Sequence, residues 1–296
     1  MIPVASKSVF QLTGAVRKVR LGGPVYGNVQ SPGAWAEAHK KAGFRAAYCP
    51  LPVNSEDALV NEYARVAAQN DLVIAEVGAW SNPISPDREA AAKAMEKCIA
   101  SLHLADRISA RCCVNISGSR NPEHWAGPHP DNLTEATFDL IVETTRKIID
   151  AVNPSRTFFT LEAMPWSYPD SAGSYLQLIK AIDRKRFGVH FDPVNWIISP
   201  QVFYRNGELI RDAFKKLGPY IKSCHAKDLV IKEDVYLPQF EEVRPGLGML
   251  DYSVFLSELA AAGDIPLMME HLDSEEAYAT AASFIKNQGK LMDIEI

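Results

Sequence analysis

Short runs of β-branched and aromatic residues alternate with stretches in which apolar positions recur every three or four residues, and the alternation continues along the whole chain. The runs predict strands at Arg17 to Leu21, Ala46 to Cys49, Leu72 to Val77, Ala110 to Ile116, Thr157 to Glu162, Phe187 to Asp192, Ile221 to Ala226 and Leu267 to Glu270. The periodic stretches predict helices near Ser31 to Ala42, Ser55 to Asn70, Asp87 to Ala105, Gly173 to Arg184, Gly207 to Leu217, Asp251 to Ala262 and Ser274 to Gln288. The clearest helix starts at Asn132-Leu-Thr-Glu135, which reads as a capping box. It continues with Phe138, Ile141, Val142, Thr145, Ile148, Ile149 and Val152 on one face until Pro154 stops it.

These elements make eight β-then-α units, with no Ser/Gly linker or low-complexity tract between them. Phe158-Phe-Thr-Leu161 and Phe187-Gly-Val-His-Phe191 are apolar on both faces, as strands of a parallel sheet covered by helices must be. An open doubly wound sheet would usually carry a Gly-rich phosphate turn after its first strand. Leu21-Gly-Gly-Pro-Val-Tyr-Gly27 is not such a turn, and no helix follows it at once. At roughly 100 to 200 residues per domain the length of the chain suggests two domains, but α/β barrels of about 250 residues are single. The pattern therefore predicts an α/β fold, a (β/α)8 TIM barrel, with residues 1–296 as one domain and a site at the C-terminal ends of the strands.

Composition narrows the partners. With 47% hydrophobic and 23% charged residues the chain is an ordinary globular one, neither disordered nor collagen-like. A formal charge of -5, from 31 basic and 36 acidic side chains, gives a phosphate backbone no overall attraction, so nucleic acid is not expected as a partner. No stretch approaches the roughly 18 apolar residues of a membrane span. Met1 to Arg20 lacks the pattern of a signal peptide, so the expected location is cytoplasmic. The five cysteines, Cys49, Cys98, Cys112, Cys113 and Cys224, are odd in number and form no CxxC, which reads as reduced, mostly buried residues.

Candidate chemistry sits where the later strands end. Glu162, Asp192, His225 and Glu270 close four consecutive strands at separations of 30, 33 and 45 residues, each about one βα repeat, so their side chains can meet at one barrel mouth. Taken singly, each has an ordinary structural alternative as a helix cap, an ion-pair partner or a hydrogen-bonded core histidine. Taken together, three carboxylates would repel one another without a cation. Three carboxylates and one imidazole form a mainly oxygen site suited to Mn²⁺ or Mg²⁺, Mn²⁺ being the expected ion, with Co²⁺ and catalytic Zn²⁺ also open.

These four residues, with Phe191-Asp-Pro-Val-Asn195, His225-Ala-Lys-Asp228 and Arg244-Pro-Gly-Leu-Gly-Met-Leu-Asp-Tyr252, resemble the xylose-isomerase-like barrels of the sugar phosphate isomerase/epimerase family over nearly the whole chain. That superfamily includes ketose 3-epimerases, hydroxypyruvate isomerase, inosose dehydratase, 3-dehydroshikimate dehydratase and endonuclease IV. The resemblance implies a divalent metal held by the four positions, with Glu162 and Glu270 also serving as an acid/base pair. Departures matter for the substrate. Ketose 3-epimerases typically carry a substrate-binding histidine three residues after the metal aspartate, where this chain has Asn195. His-Ala-Lys-Asp resembles the His-x-Lys-Asp of inosose dehydratase and of some pentulose phosphate epimerases, while the extra histidines of endonuclease IV are missing.

Further candidates for substrate contact are His190, which shares the inward face of Asp192, together with Asn195, Lys227, Asp228, Arg244, Trp80 and Trp166. Each has a plainer alternative: an ion pair for Lys227 and Asp228, a loop brace for Arg244, rim packing for Trp80, Trp166 and Trp196. His124, His129 and His271 carry no geometric argument. The expected reaction is epimerisation or isomerisation of a keto-sugar or related polyol ketone, by removal of the proton α to a metal-bound carbonyl through an enediolate. The same enolate expels a β-leaving group if there is one, which would make the enzyme a dehydratase or lyase acting on a keto-sugar, keto-inositol or 3-keto-glycoside. A non-catalytic barrel serving as a binding or partner subunit is the alternative of another class, and a homo-oligomer stays open. The acid-rich Glu270-His-Leu-Asp-Ser-Glu-Glu276 favours a small carbohydrate without phosphate, with Lys232 and Arg244 as the opposing signal.

Overall fold

The computed structural model describes residues 17–296. Eight parallel strands close into a barrel: β1 (Arg20–Gly22), β2 (Ala46–Tyr48), β3 (Val73–Gly78), β4 (Cys112–Ile116), β5 (Phe158–Glu162), β6 (Phe187–Phe191), β7 (Ile221–Ala226) and β8 (Pro266–Met269), the last bonded to both β7 and β1. The surrounding helices are α1 (Pro32–Ala42), α2 (Asp57–Gln69), α3 (Arg88–Ile108), α4 (Glu135–Val152), α5 (Ala172–Ile182), α6 (Asn206–Leu217), α7 (Tyr252–Ala262) and α8 (Glu275–Lys290). Side-chain oxygens of Ser31, Asp87, Ser171, Asp251 and Ser274 accept from the first-turn amides of α1, α3, α5, α7 and α8, which fixes where the chain turns back after β1, β3, β5, β7 and β8.

Alternation along β6 shows how the strands separate core from site. Phe191 faces outward against Phe214 of α6 and Phe255 of α7, with ring centroids 5.7 and 5.9 Å away. His190 and Asp192, on the other face, turn into the barrel and are fully buried. At the opposite barrel end Arg20, Arg45 and Arg111 pair with Asp71 and Asp264, so that face is tied up in structural ion pairs.

Gly22 lets β1 approach β2, because a Cβ there would press on the Ala46 carbonyl oxygen and come within 2.6 Å of Met268 Sδ. Gly22→Ala is expected to cost about 1–3 kcal/mol, since the obstacle is backbone. A denaturant midpoint equal to that of the wild type would contradict this.

Four details differ from the sequence expectation. The first predicted strand splits: Arg17–Lys18 pairs in parallel with Ile294–Glu295, and only Arg20–Gly22 joins the barrel. Thr134, not Asn132, caps α4, accepting from Thr137 N at 3.3 Å. Asn132 is instead buried in a turn, where its Oδ1 accepts from Arg120 N at 2.8 Å. The segment after β7, for which the sequence predicts no strand, forms an antiparallel hairpin of Asp228–Ile231 with Phe240–Val243. The cysteines are free and mostly buried, as expected. Among the described residues no helix is long and apolar enough to cross a membrane.

Candidate metal centre

Glu162 ends β5, Asp192 follows β6, His225 lies in β7 and Glu270 follows β8. Their ligand atoms all lie within 4.8 Å of one another. His225 Nδ1 is the hub, 2.8 Å from Glu270 Oε1, 3.4 Å from Glu162 Oε1 and 3.9 Å from Asp192 Oδ2. Asp192 and His225 are fully buried, Glu162 nearly so, and Glu270 half-buried. Asp192 Oδ2, His225 Nδ1 and Glu270 Oε1 have no hydrogen-bond partner despite their burial. Such atoms are costly unless a cation stands among them, and the Lys227 ammonium, 2.6 Å from Glu270 Oε1 and 2.9 Å from Asp192 Oδ2, supplies one positive charge against three carboxylates, a deficit that a divalent ion would fill. The donor set, three carboxylate oxygens and one imidazole nitrogen, is chemically that of a divalent metal site.

Glu76 in β3 was not among the sequence candidates, yet it holds the hub. Its carboxylate accepts from His190 Nε2 at 2.9 Å and from His225 Nε2 at 3.3 Å, and Ser223 Oγ adds a third hydrogen bond. Since a carboxylate only accepts, Nε2 of His225 carries a proton towards Glu76, so that the ring, once its other proton is displaced, would turn the Nδ1 lone pair to the other three ligands, the usual arrangement of a metal-bound histidine. Burial alone would push the Glu76 carboxyl up, but the His190 and His225 imidazoles hold it well below the usual range. The signal in the sequence was a single acid inside an otherwise apolar strand.

The other candidates divide. Asn195 Nδ2 donates to Glu162 Oε1 at 2.8 Å and so belongs to the site. His190 lies beneath the mouth, its ring 4.1 Å from that of His225 between centroids, which makes it a support for the ligands. Trp80 stands at the rim, 37% exposed, with its ring centroid 6.5 Å from that of His225. Trp166 is half-buried and ties two loops together through Nε1 to Ala126 O at 2.7 Å. Trp196 packs in the core against Phe191.

Lys227 is no solvated ion-pair partner. It is 3% exposed, with Nζ 2.6 Å from Glu270 Oε1 and 2.9 Å from Asp192 Oδ2, so it pairs with carboxylates inside the barrel mouth. Asp228 organises a loop, its carboxylate accepting from the amides of Leu229, Gly246, Gly248 and Leu250. Arg244 donates to the neighbouring Pro245 carbonyl at 3.0 Å, as a loop brace does. His271, which the sequence left without a role, sits at the mouth with Nδ1 3.1 Å from Glu242 Oε1 and Nε2 3.7 Å from Glu270 Oε2.

Protons occupy this site in proportion to its negative charge. Burial, with Glu162 alongside and against the pull of Lys227, pushes the Asp192 carboxyl up to about 6. Burial opposes charge on the His225 imidazole, but Glu270, Glu162 and Glu76 outweigh it and hold its pKa well above the ordinary value. A cation must displace these protons, so its affinity is expected to grow as pH rises through about 6, where Asp192 ionises. Calorimetric Mn²⁺ titrations near that pH, in two buffers of different ionisation enthalpy, measure the proton count; uptake without proton release contradicts the expectation.

The sequence profile of the xylose isomerase-like TIM barrel family matches residues 36–288. No curated protein sequence matches the chain significantly. Among solved structures, a probable 3-DHS dehydratase involved in petrobactin synthesis from Bacillus anthracis superposes with a TM-score of 0.67 at 14% identity, over 90% of this chain and 97% of that one. D-psicose 3-epimerase from Clostridium cellulolyticum H10, solved with D-tagatose, gives 0.65 at 16% identity, over 95% and 98%. A xylose isomerase-like TIM barrel protein from Mycobacterium smegmatis, solved in complex with magnesium, gives 0.64 at 16% identity, over 95% and 98%.

Proposed function

Because the chain belongs to the xylose isomerase-like TIM barrel family, we propose that it is a divalent-metal-dependent epimerase or isomerase of a keto-sugar or related polyol ketone. The observation that carries this reading is the convergence of Glu162, Asp192, His225 and Glu270, whose ligand atoms all lie within 4.8 Å of one another in a buried site. Mn²⁺ suits the oxygen-rich set best, with Mg²⁺, Co²⁺ and Zn²⁺ as alternatives, and a relative solved with magnesium supports a divalent ion. Such an ion, when bound, supplies the Lewis acidity that makes a proton next to a substrate carbonyl acidic enough for a carboxylate to remove.

The chain's own groups handle that proton. Asn195 anchors Glu162 through Oε1 at 2.8 Å, leaving Oε2 as the freer oxygen to take it. Burial works against ionisation of Glu162, but His225 and Lys227 hold its carboxyl well below the usual range, so it is in the ionised form that can accept a proton. Glu270 comes from a strand on the other side of His225, and its Oε2 lies 3.7 Å from the exposed His271 imidazole, a route to solvent protons. Glu162 and Glu270 thus serve as the pair that takes a proton from one side of the substrate and returns one to the other. Trp80 at the rim offers a face for a sugar ring.

Elimination is the second reading, favoured by the Lys227 ammonium inside the site and the His271–Glu242 pair at its mouth, both able to reach a leaving oxygen. NMR of keto-sugars, with and without a β-alkoxy group, incubated with Mn²⁺ and the protein separates the two. An epimer or an aldose–ketose product is expected; an unsaturated ketone or a released alcohol with no epimer assigns a lyase. The acid-rich segment after β8 leads us to expect higher kcat/KM on the free sugar than on its phosphate, and the reverse order overturns that part.

A further inference from the structure

Resting on the metal centre proposed above, a second cation built into the chain changes how that centre behaves. The Lys227 ammonium lies 2.9 Å from Asp192 Oδ2 and 2.6 Å from Glu270 Oε1. These are two of the oxygens that would face a divalent ion, and the third, Glu162 Oε1, is 3.9 Å from Nζ. We propose that Lys227 is an internal counter-ion that competes with the metal for Asp192 and Glu270, keeps the metal-free cluster charge-compensated, and sets a weaker metal affinity than the four ligands alone would give.

The backbone confines this competition to the side chain. Tyr252 Oη donates to the Lys227 carbonyl at 2.8 Å, and the adjoining Asp228 is held by four loop amides, so the ammonium cannot leave by moving the chain. It can swing towards Glu242 Oε2, 3.7 Å away on the hairpin, which offers the alternative partner when an ion arrives. Charge counting agrees. Three carboxylates carry three negative charges, and a divalent ion with one ammonium neutralises them, with His225 uncharged at its lone-pair nitrogen. The ion nevertheless comes in beside a positive charge, and at these separations in a shielded site that repulsion is large.

A Mn²⁺ titration followed by the electron-spin signal of free Mn²⁺, with thermal unfolding before and after loading, tests the role in the wild type, Lys227→Met and Lys227→Gln. Both variants are expected to bind Mn²⁺ about tenfold more tightly or better, because a like charge has gone. Both should also unfold at lower temperature without metal and gain more from Mn²⁺ than the wild type does. A variant that folds only when metal is present shows the same effect in its extreme form, and the Gln side chain, with polar atoms for the cluster, covers a failure of the Met variant. Equal or weaker Mn²⁺ binding by folded variants overturns the role of Lys227 while leaving the centre intact. A wild type and variants that all take up no ion overturn the centre itself and this role with it.

Discussion

Glu162→Gln is expected to slow exchange of the substrate's α-proton by about two to four orders of magnitude, the range that a positioned general base contributes. The substitution keeps shape and volume and removes the negative charge and the proton acceptor. Asn195 can still reach the amide oxygen, and the residue stays at the end of a buried strand, so the barrel should unfold near the wild-type temperature. Metal affinity should fall as well, because one of the oxygens facing His225 Nδ1 becomes a neutral donor. The assay is the loss of the α-proton signal by NMR at saturating Mn²⁺, so weakened metal binding is compensated and the chemical role is read alone. Near wild-type exchange under that condition removes Glu162 from the acid/base pair.

Glu76→Gln, on the Nε2 side of the His225 ring and away from the other three ligands, is expected to weaken metal affinity by about 10- to 100-fold. Three donors converge on the Glu76 carboxylate, from His190, His225 and Ser223. An amide supplies one oxygen and two N–H groups, so at least one donor loses its acceptor, and an N–H turned to His225 would place the imidazole proton on Nδ1, facing the ligands. Calorimetric titration with Mn²⁺ reads the effect directly, while the thermal midpoint of the metal-free protein separates a misoriented ligand from a damaged core. An affinity within a factor of about two of the wild type, well under the usual cost of losing such a support, would mean that Glu76 does not orient His225.

The contrast between Glu76 and the four strand-end ligands explains what the sequence shows on its own. Glu162, Asp192, His225 and Glu270 each lie at the end of an apolar run, so their place at the mouth follows from chain direction and repeat length. Glu76 sits inside Val73–Gly78, and only closure of the barrel brings it opposite β7, across 149 residues from His225. The same reasoning applies to Lys227 and Asp228. Adjacent residues leave a strand towards different sides, and the sequence cannot say that one turns to the carboxylates while the other gathers the amides of a loop some 20 residues on. Local turn chemistry misled in one place: Asn132 has the right type and spacing for a cap, but a buried pocket beside Arg120 takes its side chain and leaves Thr134 to start α4. The split of the first strand was equally invisible, because its partner, Ile294–Glu295, lies at the far end of the chain.

Metal-dependent removal of a proton next to a carbonyl is the step on which the proposed activity depends. Its most direct test is deuterium wash-in from D₂O across a panel of keto-sugars, followed by NMR, with one protein sample stripped by EDTA and the same sample reconstituted with Mn²⁺. The account predicts deuterium at a single carbon next to the carbonyl of one substrate class, lost on stripping and restored by the ion. Undiminished exchange in the stripped protein would contradict it.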